Sequence, residues 1–146
     1  MESFAPTRSG GCLCGAVRYA VHGPLREILV CHCEECRRWA GRAWAATAAR
    51  AAELELVEIR GLRWLASPRS ESAARRGFCA ECGASLFWEA PGRGTVSIGV
   101  GTLDDPAELR VAGHIWLEQG AGWEAPQGAP AYPRGYPAEA PALAWG

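Results

Sequence analysis

The chain has 146 residues, a formal net charge of -1, 49% hydrophobic residues and 21% charged ones. That length suits one domain with a sizeable core, and no apolar run approaches the roughly 20 residues of a membrane span. Near-zero charge argues against a nucleic-acid or membrane surface. All 15 basic residues are Arg, which excludes lysine Schiff-base chemistry.

The N-terminus MESFAPTRSGG carries no apolar signal region, so a cytoplasmic protein is expected. LCGAVRYAV (13–21) reads as a strand, and ILVC (28–31) as a short buried one. CEECRRWAG (33–41) reads as a helical turn ended by Gly41. AWAATAAR (43–50) is ambiguous between helix and strand. LELVEIRGLRWLA (54–66) alternates apolar and polar residues, with Gly61 marking a turn or bulge. SPRSES (67–72) reads as a loop, and RRGFC (75–79) leads into a cysteine pair. ASLFWE (84–89) and TVSIGVG (95–101) read as strands joined by the turn APGRG. TLDDPAEL (102–109) reads as a turn with a short helical piece, and HIWLE (114–118) as a last strand.

From Gln119 onward the chain holds five of its ten prolines, which rules out a long helix or a central strand. Trp123, Tyr132, Tyr136 and Trp145 are costly to leave in water, so part of this segment is expected to lie across the domain. The reading is one domain over 1–146, mainly β with short helical turns. Its core spans about 8–118, and the Pro/Gly-rich segment 119–146 packs on it.

Seven cysteines without an export signal point to metal ligands or catalysis before disulfides. Their spacing is C-x-C (Cys12, Cys14), C-x-C-x-x-C (Cys31, Cys33, Cys36) and C-x-x-C (Cys79, Cys82). FCAECG (78–83) is a zinc-knuckle pattern whose Gly83 relieves the turn. It needs two more ligands, and Cys12 and Cys14 are the economical partners for a closed Cys₄ zinc site. Two disulfides are the competing reading.

Cys31, Cys33 and Cys36 then remain around a second metal. Three protein ligands with an exchangeable fourth position is the catalytic pattern for zinc. A redox pair Cys33/Cys36 is the alternative, and it leaves Cys31 unexplained. In extended chain His32 points away from Cys31 and Cys33, which makes it a poor third ligand. Arg37 and Arg38 follow the trio and would favour its thiolate forms, or else belong to a solvated face. Asp104 and Asp105 read as turn residues, and His114 as a partnered strand residue rather than a base. No Gly-rich phosphate loop or nucleotide fingerprint is present, so no organic cofactor is expected.

The segments GGCLCGAVRY (10–19), CHCEECRRWAG (31–41), GFCAECGASLFW (77–88), VGTLDDP (100–106) and HIWLE (114–118) resemble the glutathione-dependent formaldehyde-activating (GFA)/centromere protein V family, in its order. The resemblance covers roughly 8–137. It implies a mainly β, Mss4-like fold with two zinc ions per chain. Cys12, Cys14, Cys79 and Cys82 would be structural, and Cys31, Cys33 and Cys36 would form the functional site. It also implies a carbon–sulfur lyase activity on a glutathione-like thiol and an aldehyde adduct, as in S-hydroxymethylglutathione synthesis. A non-catalytic zinc-binding or protein-interaction module is the alternative. Two stretches depart from the family pattern. Cys82-Gly83-Ala84-Ser85-Leu86 stands for C-G-T-P-L, and Gln127-Gly128-Ala129-Pro130 lacks the acid of a late D-x-L-P-like segment.

Overall fold

Ten short strands build two sheets in a computed structural model that describes residues 7–68, 70, 72–105 and 108–146. The strands are β1 (Arg8–Gly11), β2 (Arg18–Val21), β3 (Ile28–Cys31), β4 (Trp44–Arg50) and β5 (Leu54–Glu58). They continue as β6 (Leu62–Ala66), β7 (Arg75–Cys79), β8 (Ser85–Glu89), β9 (Thr95–Gly99) and β10 (Val111–Ile115). One α-helix, α1 (Glu34–Ala40), follows β3. Gly41 caps it in the left-handed region at φ 85°, as the sequence anticipates. Among the described residues no helix is long and apolar enough to cross a membrane.

The small sheet runs β1-β2-β5, and the large one runs β10-β3-β4-β9-β8-β7-β6. Neighbours are antiparallel except β10, which lies parallel to β3 and sets His114 beside Val30 and Ile115 beside Cys31. Register decides which face each residue takes, because cross-strand partners share a face and successive residues alternate. Thr47 pairs Ile98, Ala49 pairs Val96 and Phe87 pairs Ile98, so these side chains share one face. They are buried, and most of them pack with Tyr19, Val17, Val21 and Leu25 in the main core. The Phe87 ring meets Tyr19 edge-on at 5.3 Å and stacks on Trp64 at 6.0 Å. The opposite face carries Leu29 across from Ala46, Cys31 across from Trp44, and Trp88 across from Ser97. That second face is the floor of the site described below.

The structure departs from the sequence reading at identifiable places. Residues 13–17 form bends rather than strand, so β2 begins only at Arg18. The Val17 amide instead donates to the Cys12 sulfur at 3.2 Å. The glycine-rich Arg8–Gly11 is a strand, with close packing behind it. A Cβ on Gly10 would stand 2.3 Å from the Tyr19 hydroxyl. The alanine-rich 43–50 resolves as β4, a central strand between β3 and β9, where sheet pairing overrides helix propensity. The last strand stops at Ile115. Trp116 adopts a left-handed conformation at φ 61°, and its amide donates to the Arg134 carbonyl at 2.8 Å. Residues 1–6, 69, 71, 106 and 107, which include parts of the expected 67–72 loop and the 102–109 helical piece, lie outside the described residues.

The C-terminal segment lies against the body. Leu25 and Gly146 exchange two backbone hydrogen bonds of 2.9 Å, and Arg26 bridges to Trp145. The Arg50 guanidinium sits 4.7 Å from the centre of the Trp145 ring. Ala131 bridges to His114, and Tyr132 meets Tyr136 edge-on at 5.5 Å. Trp123 remains 70% exposed, so it is not part of that packing.

Candidate functional site

Four cysteines far apart in sequence meet where the small sheet approaches the end of β7. Cys12 and Cys14 follow β1, Cys79 ends β7, and Cys82 lies in the tight turn after it. Gly83, at φ 81°, allows that turn, and its amide closes it on the Cys79 carbonyl at 2.7 Å. The four sulfurs all lie within 4.8 Å of one another. Cys12 and Cys14 sulfurs are 3.7 Å apart, and Cys14 and Cys79 sulfurs 3.8 Å. A disulfide needs about 2.05 Å, so these thiols are unbonded. A tetrahedron with metal–sulfur bonds of ~2.3 Å has edges of ~3.8 Å, which these separations match. The amides of Ala84 and Cys14 aim at Cys82 and pull its thiol down to about 6. The quartet fits a thiophilic cation.

The second cluster forms at the end of β3. Cys31 is its last residue, Cys33 caps α1, and Cys36 lies one turn into the helix. The Cys36 amide donates to the Cys33 sulfur at 3.4 Å, and this cap draws the trio together. All three sulfurs lie within 4.8 Å of one another. They compete for protons. Hydrogen bonds from Cys31 and Cys36 pull Cys33 down to about 2, and the same contacts push Cys31 far up. A divalent cation among them removes the conflict, since all three can then be thiolate. The donor set therefore fits a metal too.

His32 lies in neither cluster. It is 2% exposed and turns toward β10, where its Nε2 lies 2.9 Å from His114 Nδ1. The His114 Nε2 lies 3.1 Å from the Gln127 carbonyl, which can only accept. His114 Nε2 therefore carries a proton, and in the neutral ring its Nδ1 accepts from His32 Nε2. Burial, with His114 beside it, lowers the His32 pKa and keeps the ring neutral. His32 and His114 form a buried pair that ties β3 to β10.

A groove of about 1030 Å³ opens over the trio. Its floor is the second face of the large sheet: Leu29, Cys31, Trp44, Ala46, Trp88 and Ser97. Arg26, Arg76, Arg93 and Arg134 line it, against Glu34 and Glu35. Ile115 of the last strand, with Trp116, Tyr136 and Leu143 after it, completes a wall. Neither Arg37 nor Arg38 lines it. Arg37 and Arg38 occupy the last turn of α1, where Arg38 reaches back to Glu34 at 3.0 Å along the helix surface. The sequence reading missed Arg76, Arg26 and the tryptophans of the floor. The alternation Trp44–Ala46 and the single Trp88 were the available signal. Asp104, read as a turn residue, accepts from Arg18 at 2.6 Å and from Ser9 at 2.7 Å, fastening the start of the chain. Asp105 is described but lies outside both clusters.

These features define a mainly β protein with two cysteine clusters fit for soft cations, one of them open to an arginine-lined groove. The family model described as GFA, glutathione-dependent formaldehyde-activating enzyme, matches residues 7–119, and the chain belongs to that family. The fold is also similar to the crystal structure of a Rhodobacter sphaeroides protein at TM-score 0.56 and 24% identity. That likeness covers 71% of this chain and 99% of the other.

Proposed function

We propose that the protein is a zinc-dependent carbon–sulfur lyase that joins a glutathione-like thiol to an aldehyde and splits the adduct, as in S-hydroxymethylglutathione synthesis. One observation carries this reading. Cys31, Cys33 and Cys36 converge on the floor of a groove large enough for a tripeptide-sized ligand, and no fourth cysteine joins them among the described residues. In this reading Cys12, Cys14, Cys79 and Cys82 hold a structural zinc, and the trio holds a second zinc whose fourth position faces the groove. That zinc would supply a Lewis acid and a lowered thiol pKa.

The chain's own residues do the rest. The tryptophan floor excludes water and orients the ligand. The sulfur lone pair adds to the carbonyl carbon, a C–S bond forms, and the C=O π pair moves to oxygen. The proton lost from the thiol ends on that oxygen, and the reverse steps split the adduct. Thiol addition to an aldehyde is intrinsically easy, so proximity supplies much of the acceleration. The reading takes 1–146 as one GFA-type domain. Its unbonded thiols suit a reducing compartment, the cytoplasm.

Exchange NMR with ¹³C-formaldehyde and glutathione tests this. The protein should raise the rate of adduct formation and cleavage, and Cys36→Ser should abolish the gain. An exchange rate equal to that in buffer alone would sink the reading.

A further inference from the structure

Of the four arginines lining the groove, two are engaged with acids of the protein. Arg76 lies 3.8 Å from Glu35, and Arg134 lies 3.3 Å from Glu118. Arg26 is different. Its Nε donates to the Glu27 carbonyl and its Nη2 to the Ala46 carbonyl, both at 3.0 Å. These neutral acceptors orient the guanidinium but leave its charge unbalanced. The Glu27 carboxylate is directed elsewhere, to the Ala144 amide at 3.0 Å and to Arg110 at 3.7 Å. Among the described residues Arg26 makes no ion pair, and its Nη1 has no partner. Burial, with no acid beside it, pulls its pKa down to about 10. Arg93 also has no ion pair among the described residues, and it lies 5.0 Å over the Trp88 ring.

We propose that Arg26 is a specificity residue that binds a carboxylate of the ligand, with Arg93 as the second cation on the same groove. This rests on the thiol–aldehyde reading above and assigns the residue that meets the acidic end of that thiol. A planar guanidinium with free N–H groups in a desolvated wall recognises a carboxylate better than any neutral group. The ladder sets the scale. Cys31 lies across from Trp44, and Arg26 is bound to the carbonyl two residues further along β4. Two residues of strand span about 7 Å. Along β4 the two positions therefore lie on the order of 7 Å apart, a separation that suits a thiol whose carboxylate lies several bonds from its sulfur. The position is held from outside the family match, because residues 144–146 pair with 25–27 and fix the Arg26 backbone.

The test uses S-methylglutathione, which carries the carboxylates but cannot present a thiolate, and its diethyl ester. Calorimetry on the metal-loaded protein should show the acid binding about tenfold or more tighter than the ester. Arg26→Gln should bring the two within about twofold, by weakening the acid only. Equal binding of acid and ester by the wild type, or binding of neither, overturns the proposal without need of any variant. A preference that survives Arg26→Gln overturns the assignment to Arg26. Failure of the thiol–aldehyde reading looks different: the acid preference persists while glutathione gives no catalysed exchange.

Discussion

The Arg76 guanidinium lies 3.5 Å from the Cys36 sulfur, buried on β7 while the cysteine stands on α1. Its Nε donates to Ser67 Oγ at 3.0 Å, Ser67 donates to Glu35 at 2.7 Å, and its fork lies 5.0 Å from the Trp39 ring. Three thiolates around one divalent cation leave a net negative charge. A buried guanidinium at this distance offsets it and holds the helix against the sheet. Arg76→Gln should lower the metal content of the trio and leave that of the quartet in place, with Arg76→Lys giving partial recovery. The measurement is cobalt substitution followed by thiolate-to-cobalt absorption. The variant is expected to lose about half of that band.

The two cysteine clusters predict opposite phenotypes. Cys82→Ser opens the quartet that joins the first loop to β7, so metal-binding energy is lost from folding. A fall in Tm of more than about 15 °C is expected by circular dichroism. Cys36→Ser should retain the fold and its Tm within a few degrees while losing the second metal.

Asp104 gives the fold a modest acid dependence. Hydrogen bonds from Arg18 and then Ser9 hold its carboxyl down to about 2. A depressed carboxyl stabilises the fold above its unfolded pKa near 4, and this is lost as pH falls from about 4 to about 2. The pair is 38% and 48% exposed, so solvent screening limits it to under about 1 kcal/mol. Asp104→Asn should cost that amount at pH 7 in urea denaturation and nothing at pH 2.

Strand existence was legible wherever alternation or an apolar run was local, as in ILVC and the segment 54–66. Helix α1 was legible because Gly41 marks its end. What was illegible depended on distant partners. Arg8–Gly11 carries no strand signal of its own, since Gly10 answers to Tyr19 and Gly11 to Val17 and Arg18. Trp44–Arg50 is alanine-rich and becomes strand only between β3 and β9. Spacing set out the cysteine doublets and the trio, economy joined Cys12 and Cys14 to Cys79 and Cys82, and the structure brings the same groups together. Arg76 and Arg26 stood 40 and 5 residues from the nearest trio cysteine, and nothing in their neighbourhoods marked them. Conversely, Arg37 and Arg38 looked important by adjacency, and the helix carries them off the groove.

Phe87 is the hub of the main core, fully buried between Tyr19 and Trp64. Phe87→Ala should cost about 3–5 kcal/mol in chemical denaturation, since neither aromatic neighbour can collapse into the space without leaving its strand.

If the quartet and the trio both hold zinc, the two ions differ in lability, because only the trio opens to the groove. Zinc analysis of freshly purified protein, with a chromogenic chelator added before and after glutathione, tests it most directly. Two zinc ions per chain are expected, one of them extractable and slowed in its release by glutathione. One tightly held zinc together with three freely titrating thiols would contradict it.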